Sequence, residues 1–93
     1  TMKMYTPSEV EFLDIGGVQH IYNFENSKYS ASVIQSTFSY GGKQGYWELA
    51  MRHDGELCYS TPVTGDVLGW LTQEQVQEKL RFIEFLIGAS LIF

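Results

Sequence analysis

Apolar and polar positions alternate most cleanly between Tyr46 and Arg52, where Trp47, Leu49 and Met51 fall on one side and Glu48 on the other. A period of two marks a half-buried strand. His53-Asp54-Gly55-Glu56 comes next, and Asp-Gly between apolar runs is a strong hairpin signal. Leu57 to Ser60 is therefore predicted to return as the partner strand, with Leu57 and Tyr59 on one face. A second hairpin is predicted upstream. Val18, His20, Tyr22 and Phe24 alternate with Gln19, Ile21 and Asn23, Asn26-Ser27-Lys28 supplies turn chemistry, and Tyr29 to Thr37 is rich in small and β-branched residues.

After Thr72 the period changes. Val76, Leu80, Ile83 and Ile87 lie on one helical stripe, and Gly88 is the natural stop. Thr72 with Gln75 three residues on forms a capping box. Thr6-Pro7-Ser8-Glu9 carries a similar signal, which predicts a short helix ending at Gly16-Gly17. The competing reading is an extended segment with Val10 and Phe12 on one face. Asp66 to Leu71 reads as a short turn of helix, and Thr1 to Tyr5 as a loose lead-in. The predicted fold is α+β. It is a mainly antiparallel sheet of about four strands in two hairpins, with a C-terminal helix on one face and a short N-terminal helix, and residues 1–93 form one domain. Trp47, Leu49, Met51, Leu57, Tyr59, Trp70, Val76, Leu80 and Ile83 are expected to make most of the core.

Composition narrows the function classes. Six Lys and Arg face eleven Asp and Glu, a net charge of −5, and the basic residues never cluster. Phosphate-backbone binding needs clustered cations, so no nucleic-acid partner is expected. The apolar run from Leu80 to Phe93 carries Arg81 and Glu84 and falls short of the roughly 20 residues of a membrane span, so no membrane partner is expected either. Cys58 is the single cysteine, which rules out an internal disulfide and suits a reducing compartment.

Candidate chemistry is sparse. His53-Asp54 sits in a tight turn whose side chains should point apart. His20 lies among apolar neighbours in a strand, and Cys58 lies mid-strand away from any helix terminus that would lower its pKa. Gly41-Gly42-Lys43 lacks the spacing and the adjoining helix of a phosphate loop. Glu48 and Glu56 could face each other across a hairpin, but like charges directly opposite are disfavoured. No catalytic, cofactor-binding or metal-binding residues are assigned, and no cofactor is expected.

What remains is a surplus of rings and apolar side chains. Tyr22, Tyr29, Tyr40, Tyr46 and Tyr59 exceed what one small core can hold, and Phe82, Phe85, Leu86 and Leu91 add apolar surface beyond the helix stripe. Exposed tyrosine is favoured in protein contacts. The expected partner or dimer surface is thus Phe82, Phe85, Leu86, Leu91, Tyr40 and Tyr46, with a protein partner or a second copy as occupant.

Two runs carry a family resemblance: Tyr40-Gly41-Gly42-Lys43-Gln44-Gly45-Tyr46-Trp47-Glu48-Leu49-Ala50, and Asp54 through Thr72 with its Tyr59-Ser60-Thr61-Pro62 exit and its Asp66-Val67-Leu68-Gly69 step. Together they resemble small uncharacterised bacteriophage or prophage proteins. That resemblance implies a viral accessory protein acting in the cytoplasm of a bacterial host, and brings no catalytic residue with it. The leading expectation is a non-enzymatic protein-binding accessory protein. The alternatives are a small enzyme or enzyme subunit with a His/Cys/carboxylate cleft, and an acidic nucleic-acid mimic presenting Glu9, Glu11, Asp14, Glu25, Glu48 and Glu56 on one face.

Overall fold

The structure is a computed structural model, and it describes residues 3–92. Six strands form one antiparallel sheet, and one helix packs on it. The strands are β1 (Glu9–Phe12), β2 (Gly17–Asn23), β3 (Tyr29–Ser36), β4 (Trp47–His53), β5 (Glu56–Leu57) and β6 (Leu68–Leu71), and the helix is α1 (Gln73–Gly88). β1 to β4 run as a meander. The far side of β4 is shared, with β5 on its C-terminal end (Arg52↔Leu57) and β6 on its N-terminal end (Trp47↔Leu71).

The register sorts side chains by parity, since successive strand residues point to opposite faces. Ala31, Val33, Leu49 and Met51 face α1 and are all but inaccessible. Val76, Leu80, Ile83 and Leu86 meet them from the helix. Fully burying each such aliphatic side chain stabilises the fold by roughly 1.5–3 kcal/mol. The opposite face is Gln19, Ile21, Ser32, Ile34, Glu48, Ala50 and Arg52, and no helix covers it.

α1 starts where predicted. Gln75 N–H donates to Thr72 Oγ1 (3.1 Å), and Thr72 N–H donates to Gln75 Oε1 (2.9 Å). Leu71 before the cap and Val76 in the first turn are both core residues, which fixes the chain's entry angle as a hydrophobic staple does. The stop differs from expectation. Gly88 stays helical and Ser90 takes the left-handed conformation (φ 58°), with Ser90 N–H bonded to Ile87 O and Leu91 N–H to Leu86 O. This double bond pattern is a Schellman close. It turns Ile92 back into the core.

Several expectations are corrected. Residues 9–12 form a strand rather than a short N-terminal helix, because Val10 and Phe12 alternate with two glutamates and the segment pairs with β2 in full register. Residues 68–71 form β6 rather than a helical turn. The sheet therefore has six strands in place of about four. β5 is only two residues long, so Leu57 and Tyr59 are exposed rather than core, and Trp70 is exposed as well. Leu86, expected on the surface, is buried against the sheet, while Phe82, Phe85 and Leu91 are exposed.

The lead-in is tied down over the part described. The Gln77 side-chain amide brackets the Tyr5 backbone, accepting from Tyr5 N–H (2.7 Å) and donating to Tyr5 O (3.0 Å). Arg81 donates to Lys3 O (3.0 Å), and Lys3 Nζ pairs with Glu84 (2.8 Å). Burial, helped by a hydrogen bond to the Glu84 carboxylate, pushes the Tyr5 hydroxyl up to about 12.

Candidate functional site

The best-defined surface feature is built by an irregularity. β6 pairs with β4 through Trp47↔Leu71 and Leu49↔Leu68, so Gly69 and Trp70 together oppose Glu48. This is a β-bulge, which bends a strand and re-aims a side chain. Here it places Trp70 at φ 58°, in the left-handed region. A bulky residue there is a genuine outlier, and such strain costs on the order of 1–3 kcal/mol.

The strained tryptophan points outward, 57% exposed, and its ring lies beside Tyr46 (centroids 5.9 Å apart, 53° between planes). Tyr40, also exposed, is tied to Trp70 through its backbone, and the three residues make up an aromatic platform. Trp70 N–H donates to Tyr40 O (3.3 Å), and Tyr40 N–H donates to the Glu48 carboxylate (2.7 Å). Two glycines make the assembly fit. A Cβ at Gly41 would sit 2.8 Å from Tyr46 Cβ and 2.9 Å from the Trp70 ring, and a Cβ at Gly69 would sit 2.5 Å from Tyr40 Cβ. The glycines of the sequence motif are thus the seats on which the rings rest.

Next to the platform, a half-open cleft of about 270 Å³ lies between the sheet and the start of α1. Met4, His20, Tyr22, Trp47, Gln73 and Glu74 border it. The His20 ring stacks on Trp47 (4.9 Å, 35°), with Tyr22 edge-on (6.3 Å). Burial lowers the His20 pKa from its usual 6.5. Gln73 and Glu74 also border a shallow depression against Tyr46, which joins cleft and platform into one surface. The wider trough on the helix-free face, about 530 Å³, is more polar and lacks exposed ring pairs.

The residues considered for chemistry do not converge. His20 aligns with Val33 and Leu49 in mid-sheet, whereas His53 lies at the far end of β4 against Tyr29. Cys58 comes just after β5, on the opposite side of β4 from β2. A hydrogen bond with Ser60 (3.4 Å) lowers the Cys58 pKa, but neither histidine is its partner. His53 Nδ1 and Asp54 are 3.9 Å apart and both exposed. Glu48 and Glu56 sit at opposite ends of β4. Among the described residues, no three His, Cys, Asp or Glu side chains gather as metal ligands, and no helix is long and apolar enough to cross a membrane.

Tyr40 and Tyr46, singled out by sequence, each adjoin Trp70, Tyr46 by its ring and Tyr40 by its backbone. Trp70 is the member that pattern reading missed. The Gly69-Trp70 pair after a proline-containing turn was its only trace, since an isolated glycine inside a strand pattern points to a bulge. No protein family, curated protein or solved structure matches this chain.

Proposed function

We propose that this chain is a non-enzymatic protein-binding module, an accessory factor of phage or prophage origin acting in a bacterial cytoplasm, and that it grips its partner with the Tyr40–Tyr46–Trp70 platform. The supporting observation is that Trp70 is both strained and exposed. Nothing in the core requires a tryptophan there, and asparagine would take the same backbone conformation with less strain. Tryptophan and tyrosine are the residues that dominate binding hot spots. The phage assignment rests on the Tyr40–Ala50 and Asp54–Thr72 motifs, and those same segments build the platform.

The test is Trp70→Asn. It should leave the thermal midpoint unchanged or slightly raised, while abolishing capture of the protein that wild type retains from bacterial lysate. Tyr40→Ala should weaken the same capture. Retention of that protein by both variants, or no captured protein with wild type, overturns the proposal.

A further inference from the structure

The two edges of the sheet are finished differently. On the β4 side, pairing is broken into a two-residue strand and a bulged one. Short and bulged strands are ordinary protection against unwanted pairing. The β1 edge, four residues long and in unbroken register with β2, is guarded by the charge of Glu9 and Glu11. Its four residues, Glu9-Val10-Glu11-Phe12, are all exposed, with Phe12 at 86% and Val10 at 51%, and they include neither lysine nor proline.

The backbone of this edge is half used. Leu13 N–H donates to Gly17 O (3.0 Å). In an antiparallel ladder, hydrogen-bonding residues alternate. Glu11 and Glu9 therefore turn their N–H and C=O groups toward β2, and Val10 and Phe12 turn theirs outward. By register, Glu9 and Glu11 share the helix-free face with Gln19 and Ile21, while Val10 and Phe12 share the other face with His20 and Val18. The edge offers backbone bonds with an acidic row on one side and an apolar row on the other.

That pattern selects the occupant. In an isologous antiparallel pair of two copies, residues opposite each other lie on the same face. In the two registers that keep the pairing within β1, Glu9 meets Glu11 of the second copy, or Glu11 meets its own counterpart. Like charges directly opposite are destabilising, so self-pairing is opposed. A strand with cations alternating with apolar residues meets complementary groups at every position. Its cations would also face a trough lined by Glu9, Glu11 and Glu48, where Arg52 is the single cation among the described residues and donates to Gly55 O (3.0 and 3.2 Å).

We infer that the β1 edge receives an extended segment of another protein, added antiparallel or parallel to β1, in which Lys or Arg alternates with apolar residues. This does not depend on the platform.

The test uses the full chain and a short peptide of alternating lysine and valine, with binding read by amide NMR. The largest shifts should fall at Val10 and Phe12, whose N–H groups should become protected from exchange. A peptide of the same composition with its lysines clustered should bind about tenfold more weakly or worse, because its charges miss the register. Val10→Pro should weaken binding by about tenfold or more without lowering the thermal midpoint, because the removed N–H bonds nothing within the sheet. Glu9→Lys with Glu11→Lys should transfer preference to an alternating glutamate–valine peptide. Trp70→Asn should leave the peptide affinity unchanged, which separates this surface from the platform. Equal binding of the clustered peptide, shifts centred away from β1, or no binding at millimolar peptide overturns the inference.

Discussion

The two faces of the sheet exclude water by different means. Under α1, Val33, Leu49 and Met51 are sealed by the large aliphatic side chains of the helix. On the other face Ile21, Ser32 and Ala50 are nearly as inaccessible with no layer above them. There the floor combines Ile21 with the small residues Ser32 and Ala50, and the walls are long side chains, Glu9, Glu11, Arg52 and Tyr59 among them. One face is covered by packing and the other is shaded by its own rim. Apolar burial should concentrate stability on the first and leave the second free to specialise.

The sharpest way to break this contrast is Leu80→Ala. Leu80 is fully buried at the centre of the helix stripe. Its truncation should cost about 3–4 kcal/mol, within the range for buried leucines, and move the urea midpoint accordingly. Thr72→Ala removes the cap that sets α1 over the sheet, and should cost about 1 kcal/mol by the same measurement. On the shaded face, Ser32→Ala removes the acceptor of the Gln19 Nε2 hydrogen bond (2.8 Å). Gln19 can turn to water, so the loss should stay below about 1 kcal/mol. A Ser32→Ala effect as large as that of Leu80→Ala would refute the division of labour.

The smallest effect is in pH. Burial holds the folded-state pKa of His20 below 6.5, so on acidification the unfolded chain takes up the proton first. The stabilisation is complete above 6.5 and is lost as pH falls through the lowered folded value. His20→Gln should flatten the stability profile on the acid side of about pH 6.5 relative to wild type. A steeper profile in the variant would contradict the assignment.

Two similar signals show how far the sequence could be read. Thr72-Gln73-Glu74-Gln75 and Thr6-Pro7-Ser8-Glu9 both look like helix starts. The first leads into a stripe from Val76 to Ile83 that can bury a helical face. The second leads into Val10-Glu11-Phe12, which alternates, and β2 supplies the ladder. The cap is local, while the choice between helix and strand belongs to the partner surface, which pattern alone does not locate. β4, the β2–β3 hairpin and the stripe of α1 were legible because burial on one face imposes a strict period. β6 was not, because its bulge breaks that period at Gly69 and Trp70. The same break hid one ring of the platform, although Tyr40 and Tyr46 stood out by their number and their glycines.

The clasp between Tyr5 and Gln77 has a consequence for the order of assembly. β2, β3 and β4 are neighbours along the chain and can zip through a five-residue turn and a ten-residue loop. The clasp joins residues 72 positions apart, and closing so long a loop carries the larger entropic cost before any contact repays it. The strap therefore docks last and lets go first. Exchange of the Tyr5 amide with deuterium should report an opening of its own, well ahead of the amide of Val33 at the centre of the meander.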